Sequence, residues 1–436
     1  MSRMEPRVVI RNGILPQHGD GATVVLAGRR VAEVAPRGRA VEARPDDWNV
    51  DADGRLVIPG QVDAHAHLGL GALLRLAGLP GRSPSLPGDP EVLHGMAART
   101  TPERLEPLVR AGALAALRAG VTTVLDVLGG APGAGAELLD AEARALSTLG
   151  LRAGIAFGAR GLPGGRDEPE ALRTAACFAG AHAAHPLLRG MACLAGLADL
   201  SQESLDAAAD LTRRAGLQAC IGEDEGDLAR TFARWGRRPV EVLSANGLLG
   251  ARTVVAHAGT AVHAEGVAIA NTGATLAVVP RASMLRSAPL APFSSFARLG
   301  VRVAFGTDGV FPDPAGEAVA AAMALRHAER SAGAAAGLVG RVAWPSATRL
   351  ASTLFDEQVG ALAPGALADV VVLDWRPSFP LPDVPEGELA LLWAGASAAW
   401  VIVDGRVRLR EGHLLGGDEA EIAARAREAA QGVLAA

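Results

Sequence analysis

Val57-Ile58-Pro59-Gly60-Gln61-Val62-Asp63-Ala64-His65-Ala66-His67 is the stretch around which the rest of the chain is organised. An apolar run is broken by Pro-Gly, resumes as a second short strand, and ends in two histidines spaced two apart. Residues two apart on a strand point to the same side. The two imidazoles therefore converge, and neutral imidazole is a common ligand of zinc. Upstream of Gly60 the chain reads as short strands only. Arg7 to Ile10, Ala22 to Leu26 and Arg30 to Val34 are separated by Asn-Gly, Gly-Asp-Gly and Gly-Arg turns, and Arg55 to Ile58 ends at Pro59-Gly60.

Downstream the pattern changes. Apolar strands over Thr122 to Asp126, Arg152 to Phe157, Arg189 to Leu194, Leu217 to Ile221, Thr253 to Ala256, Thr275 to Val279 and Arg302 to Phe305 alternate with helical stretches such as Arg104 to Arg118 and Ser201 to Arg214. Strands alternating with helices imply parallel βα units. With the strand before His65 there are eight, and eight units over roughly 250–300 residues predict an α/β fold of the TIM-type (β/α)8 barrel. A doubly wound open sheet is the alternative, but no glycine-rich phosphate loop follows the first strand, and Gly129-Gly130 after the second is a weak signal. The tail returns to the style of the start. Ala368 to Leu373 and Ala399 to Val403 read as strands, Asp404-Gly405 as a hairpin turn, and Glu419 to Leu434 as a final amphipathic helix. The predicted division is a small β-sandwich built from both chain ends, 1–59 and 357–436, around a barrel over 60–356.

Composition narrows the function classes. The chain has 436 residues, 49% of them hydrophobic, enough to bury at least one large core. A net charge of −5 gives no electrostatic case for nucleic acid or for an anionic membrane. No apolar run of transmembrane length appears, and Met1 to Asn12 has no secretory h-region. Cys177, Cys193 and Cys220 are few and odd in number, which argues against a disulfide framework and predicts a reducing, cytoplasmic setting. Tyrosine is absent, and so is lysine, all 42 basic residues being arginine. That excludes a Schiff-base lysine and a carboxylated lysine bridging two metals.

In a TIM barrel the active site lies at the C-terminal ends of the strands, so the residues delivered there are the candidates. The first strand delivers His65 and His67. The fifth is followed by Cys220-Ile221-Gly222-Glu223, the sixth by His257, and the eighth by Gly306-Thr307-Asp308-Gly309. A carboxylate at Asp308 can ligate a metal and take a proton from its water, whose pKa the metal lowers toward about 7. Glu223 is placed to shuttle a proton to a leaving group. Cys220 reads either as a thiolate ligand or as a small buried hydrophobe, and the sequence leaves both open. Arg160 and Arg281, just past strands three and seven, can greet a carboxylate or serve as ordinary surface arginines. His94 lies in the long Pro/Gly-rich stretch from Leu70 to Arg99, which reads as a lid shaping specificity.

Four motifs together resemble the amidohydrolase superfamily over nearly the whole chain: Ile58-Pro59-Gly60 running into His65-Ala66-His67, Gly120-Val121-Thr122-Thr123-Val124-Leu125-Asp126, Ala304 to Gly309, and Val359-Gly360 to Asp374. The nearest branch looks like the chlorohydrolase and aminohydrolase group, with its guanine and cytosine deaminases and SsnA-type aminohydrolases. The resemblance implies His65, His67 and Asp308 as ligands of one divalent metal, zinc first and iron second. It also implies His257 in contact with the metal or its water, and Glu223 as proton shuttle. Four departures stand out, one being Val127-Leu128 after Asp126, where SsnA-like relatives carry histidine. Cys220 occupies the place of the family's strand-five histidine. Leu194-Ala195-Gly196-Leu197 and Val278-Val279-Pro280-Arg281-Ala282-Ser283 replace segments that carry polar substrate contacts in relatives. A pocket losing imidazoles to Ala, Cys and Val binds the polar edge of a purine or pyrimidine less well.

The expectation is a metal-dependent hydrolase acting on a small molecule. It would cleave a C–N bond of an amide, cyclic amide, amidine or amino-heterocycle through metal-bound hydroxide, with Asp308, Glu223 and His257 as catalytic residues and His65, His67, Cys220, His257 and Asp308 around the metal. The alternative is a catalytically degenerate relative that keeps the fold for binding or scaffolding. A homodimer is the default assembly, with no nucleic-acid or membrane partner.

Overall fold

The computed structural model describes residues 7–16, 18–78, 96, 99–128, 135–160, 169–331, 333–335, 337–378, 381 and 386–435. The chain begins with strands β1 (Arg7–Leu15), β2 (Gly19–Ala27), β3 (Arg30–Ala35), β4 (Trp48–Asp51) and β5 (Val57–Pro59). Eight strands then alternate with helices: β6 (Gln61–Ala66), α1 (Leu68–Leu76), α2 (Pro102–Arg118), β7 (Val121–Val127), α3 (Gly135–Leu149), β8 (Arg152–Arg160), α4 (Pro169–Ala181), β9 (Leu188–Ala195), α5 (Gln202–Arg214), β10 (Leu217–Ile221), α6 (Glu225–Trp235), α7 (Pro239–Ala245), β11 (Thr253–His257), α8 (His263–Thr272), β12 (Thr275–Val278), α9 (Pro280–Leu285), α10 (Phe293–Arg298) and β13 (Arg302–Phe305). α11 (Pro314–Glu329) follows, and a π-helical turn at Leu338–Ala343 leads into α12 (Trp344–Phe355). The tail holds β14 (Val370–Leu373), α13 (Ala390–Trp393), β15 (Ala398–Val403), β16 (Arg406–Arg410), β17 (His413–Leu414) and α14 (Glu419–Ala435).

β6 to β13 form one parallel sheet in sequence order. The sheet curls until its edges meet through side chains and turns. The Asp308 N–H donates to the His65 carbonyl at 3.0 Å. Thr307 donates from its N–H (3.0 Å) and its hydroxyl (2.6 Å) to the buried Asp63 carboxylate. This is the expected TIM-type barrel, with helices outside. Its interior is filled by small and medium side chains, among them Val127, Ala156, Met191, Cys193, Val254 and Ala304. Leu350 and Leu354 of α12 join that cluster, and Leu354 lies against Gly216 just before β10, so α12 caps the N-terminal end of the barrel.

The helices carry local signals that set their ends. Ser201 caps α5 by accepting the Ser204 N–H at 3.1 Å. Asp224 caps α6 by accepting the Asp227 N–H at 2.8 Å, and Gly236 ends that helix in the left-handed region at φ 63°.

The remaining strands make two further sheets, β3-β2-β1-β4 and β17-β16-β15-β14-β5. β5 pairs antiparallel with β14, so the two chain ends share one sheet. Val8, Ile10, Val24 and Leu26 pack with Val370, Val372 and Ile402 in a common core. One strand in the first sheet exceeds the sequence expectation. β4 exposes Trp48, Asn49 and Asp51 and buries only Val50, and its pairing is parallel to β1, so it lacks an alternating apolar signal. β16 is arginine-rich and is held by the hairpin at Asp404-Gly405. α14 packs on the barrel side of the molecule, where Ala429 and Val433 meet Leu73, Leu74 and Leu108.

Candidate metal centre at the barrel mouth

β6 carries His65 and His67 to the C-terminal end of the barrel, and the turn after β13 brings Asp308 to meet them. His65 Nε2 and His67 Nε2 each lie 3.4 Å from Asp308 Oδ1. Their outer nitrogens are anchored. His65 Nδ1 bonds Gln218 Oε1 at 2.8 Å, across the barrel on β10, and His67 Nδ1 bonds the Val127 carbonyl at 3.0 Å. Both acceptors place the ring proton on Nδ1 and turn the Nε2 lone pair toward Asp308, the arrangement that orients a ligating histidine. His65 is fully buried, and its Nε2 has no hydrogen-bond partner among the described residues. A desolvated acceptor of this kind is costly unless something else satisfies it.

Two overlapping groups offer ligand atoms within 4.8 Å of one another: His65 with His67 and Asp308, and His65 with Cys220 and His257. The His65 ring centroid is 5.1 Å from that of His67 and 5.1 Å from that of His257. The donor set of imidazoles, carboxylate and thiol fits a divalent metal of the zinc type. The orphaned His65 Nε2 is the observation that shows the fit.

His257, at the end of β11, and Asp308 both sit at positive φ, 66° and 54°, as do Ala258 and Ser287. Such backbone is costly for non-glycine residues and clusters at functional sites. α1 braces the eighth turn. Gly71 approaches Gly309 so closely that an added Cβ would lie 1.9 Å from its carbonyl oxygen, and Arg75 donates to the same carbonyl.

The electrostatics set each group's state. Burial alone would raise the Asp308 carboxyl, but Arg286, His65, His257 and His67 together hold it far below the carboxylate range. Burial pushes His257 down to about 4, so its ring is neutral. Arg286 donates from Nη2 to His257 Nδ1 at 3.2 Å, which leaves the proton on Nε2, facing Glu223 Oε1 at 3.9 Å. Burial would raise the Glu223 carboxyl, yet the N–H of His257 and the guanidinium of Arg286 facing it keep it below its usual value. Its side chain stays 38% exposed, so it faces the opening.

The structure therefore brings His65, His67, Cys220, Glu223, His257 and Asp308 to one place. Arg281 is not with them. Its Nε pairs with Glu317 at 2.7 Å and it also donates to the Asp313 carbonyl, so it fastens α9 to α11 and does not greet a ligand. Of the two readings the sequence left open for Arg281, the contact with a ligand carboxylate is the one this pairing disfavours, and the cause is Glu317, a buried carboxylate with no sequence signal of partnership. The Arg160 side chain and His94 lie outside the described residues, as does most of the expected lid. Sequence reading missed Gln218 and Arg286. Arg286 follows α9, and its charge lies 3.3 Å from Glu223 and 3.4 Å from Asp308.

A parallel barrel is flanked by a two-sheet domain, and histidines, a cysteine and an aspartate that could hold a metal ion converge at its mouth. Residues 56–408 match the amidohydrolase family, and the chain belongs to it. It is 28% identical to a 5'-deoxyadenosine deaminase of Methanothrix thermoacetophila, over 94% of this chain and 94% of that one. It is also 28% identical to an 8-oxoguanine deaminase of Pseudomonas aeruginosa, over 95% of each. Among solved structures it resembles a triazine hydrolase from Arthrobacter aurescens (TM-score 0.80, 20% identity, 98% and 100% covered). It equally resembles an adenosine deaminase from Xanthomonas campestris with bound zinc (TM-score 0.80, 20% identity, 99% and 100% covered). Among the described residues no helix is long and apolar enough to cross a membrane.

Proposed function

We propose that this amidohydrolase-family chain hydrolyses a C–N bond of a small molecule, an amino-heterocycle, cyclic amide, amide or amidine, using one divalent metal, zinc in the first instance. The convergence of His65, His67 and Asp308 around an unsatisfied buried imidazole nitrogen carries the reading. Relatives described as deaminases support amino-heterocycles within that class. His65, His67 and Asp308 would hold the ion, with Cys220 and His257 within reach. When bound, such an ion supplies Lewis acidity and lowers the pKa of a water toward about 7.

The chain's own groups do the rest. Asp308 Oδ2, the oxygen turned toward Arg286, accepts a proton from the attacking water. The Nε2–H of neutral His257 donates to the substrate atom on which negative charge develops, oxygen in an amide or nitrogen in an amidine or amino-heterocycle. Glu223, an anion at the opening, takes the proton on and returns it to the leaving nitrogen. Residues 1–59 with 357–436 form the bracing domain and 60–356 the catalytic one. The few, odd cysteines favour a cytoplasmic location.

Ammonia release and ring absorbance, followed on zinc-loaded protein with a panel of aminopurines, aminopyrimidines and cyclic amides, test the proposal. The expected result is turnover that falls by about 10²–10⁴ in Asp308→Asn. No hydrolysis anywhere in the panel by metal-loaded wild type would overturn it.

A further inference from the structure

α1 starts at His67 and folds back onto the turn that carries Asp308. The His67 carbonyl accepts the Gly71 N–H at 2.7 Å, in the first turn of the helix. Gly71 and Arg75 are four apart and share one face. That face lies against Gly309, the residue after Asp308. Arg75 Nη1 donates to the Gly309 carbonyl and, at 3.3 Å, to the Val310 carbonyl. Other arginines withdrawn from water are paired with acids. Arg152 Nε lies 3.0 Å from Asp369, Arg238 Nε 2.9 Å from Glu265 and Arg281 Nε 2.7 Å from Glu317. Arg75 has no such partner among the described residues, and burial alone pushes its pKa down to about 10. Withdrawing an unpaired charge from water is costly, so the two carbonyls it holds need a reason to be held.

Asp308 supplies that reason. Its backbone is in the left-handed region at φ 54°, and such a conformation persists in a non-glycine residue only where its surroundings over-determine it. The side before it is fixed by three bonds. Thr307 donates twice to Asp63, and the Asp308 N–H donates to the His65 carbonyl at 3.0 Å. The side after it meets Arg75 through the carbonyls of Gly309 and Val310. Gly309 is also wedged against the histidine strand, since an added Cβ there would lie 2.3 Å from the His67 carbonyl. The result is a carboxylate whose Oδ1 stands 3.4 Å from both His65 Nε2 and His67 Nε2.

We propose that Arg75 is a positioning residue for Asp308, capping the two carbonyls that follow it so that the carboxylate faces both imidazoles at once. This rests on the metal-centre reading above. It adds to that centre a residue whose hydrogen bonds go to none of the candidate ligand side chains. Without the guanidinium the turn relaxes toward ordinary backbone, and Asp308 moves away from one or both histidines.

Zinc affinity by competition with a chromophoric chelator, the visible spectrum of the cobalt-substituted protein and thermal melting are compared for wild type, Arg75→Met, Arg75→Lys and Arg152→Met. R152M removes a buried arginine from the opposite end of the barrel and controls for lost stability. R75M is expected to bind zinc about 10–100-fold more weakly, as variants of groups that orient a ligand do, and to show an altered cobalt spectrum. R75K keeps the charge as a compact ammonium without the fork and should fall between R75M and wild type. R152M should melt lower yet keep wild-type affinity and spectrum. If R75M does not fold, R75K decides, and wild-type affinity with an unchanged spectrum in R75K would overturn the role. So would a folded R75M that matches wild type, an R75K no better than R75M, or an R152M that disturbs the cobalt spectrum as much as R75M does. In each of these cases wild type still binds zinc, and the metal centre stands without Arg75. A wild-type chain that binds neither zinc nor cobalt sinks the metal-centre reading itself and this assignment with it.

Discussion

His65 does its work through a neighbour it meets across the barrel. Gln218 Oε1, 2.8 Å from His65 Nδ1, fixes which nitrogen carries the proton and which one faces Asp308. Partners of this kind typically contribute 10–100-fold to metal affinity. Gln218→Ala is therefore expected to weaken zinc binding by about 10–100-fold, measured by competition with a chromophoric chelator. Unchanged affinity would remove Gln218 from the centre. His65, His67, His257 and Asp308 were legible in sequence because each ends an apolar strand, and strand ends define the mouth of such a barrel. Gln218 was hidden inside a strand. Arg286 was hidden among 42 arginines, and only the path of the chain after α9 brings it to the site.

At the scale of elements, β7 and α3 meet through two buried acids. Asp126 accepts the Leu68 N–H at 2.7 Å and faces Glu142, and both are almost completely buried. Burial raises the Asp126 carboxyl to about 7, and burial together with the charge of Asp126 raises Glu142. In the unfolded chain both ionise near pH 4. Their contribution is therefore fully present below about pH 4 and is lost as pH rises through about 7, because only the unfolded state then sheds its protons freely. Glu142→Gln removes one of the two acids. Its Tm gain over wild type is expected to grow between pH 5 and pH 8 by roughly 1–2 kcal/mol, or about 2–4 °C. An equal offset at both pH values would contradict the pairing. The strands of the barrel were readable to within a few residues from apolar runs alone. β4 was not, since its stability comes from its parallel pairing with β1 and not from its own side chains.

Across the whole molecule, Arg152 joins the two domains. It opens β8, is fully buried, and reaches Asp369 at 3.0 and 3.2 Å and Asp404 at 3.2 Å, in the β-sandwich. Removing one partner of a buried ion pair commonly costs about 3–5 kcal/mol. Arg152→Met should lower the chemical denaturation midpoint by a corresponding amount, and a wild-type midpoint would show that the junction is held by apolar packing alone. The sequence announced sheets at both ends of the chain. It could not announce that a barrel arginine would be their fastening, because more than two hundred residues separate Arg152 from its acids. The metal centre is what the rest of this architecture positions, so metal content by elemental mass spectrometry is the most direct measurement. Wild type purified after zinc-supplemented expression should carry about one zinc or iron per chain. His67→Ala and Asp308→Ala should lose it, and Cys220→Ser should report whether the thiol shares in holding it. A wild-type chain that carries no metal after supplementation would contradict the account.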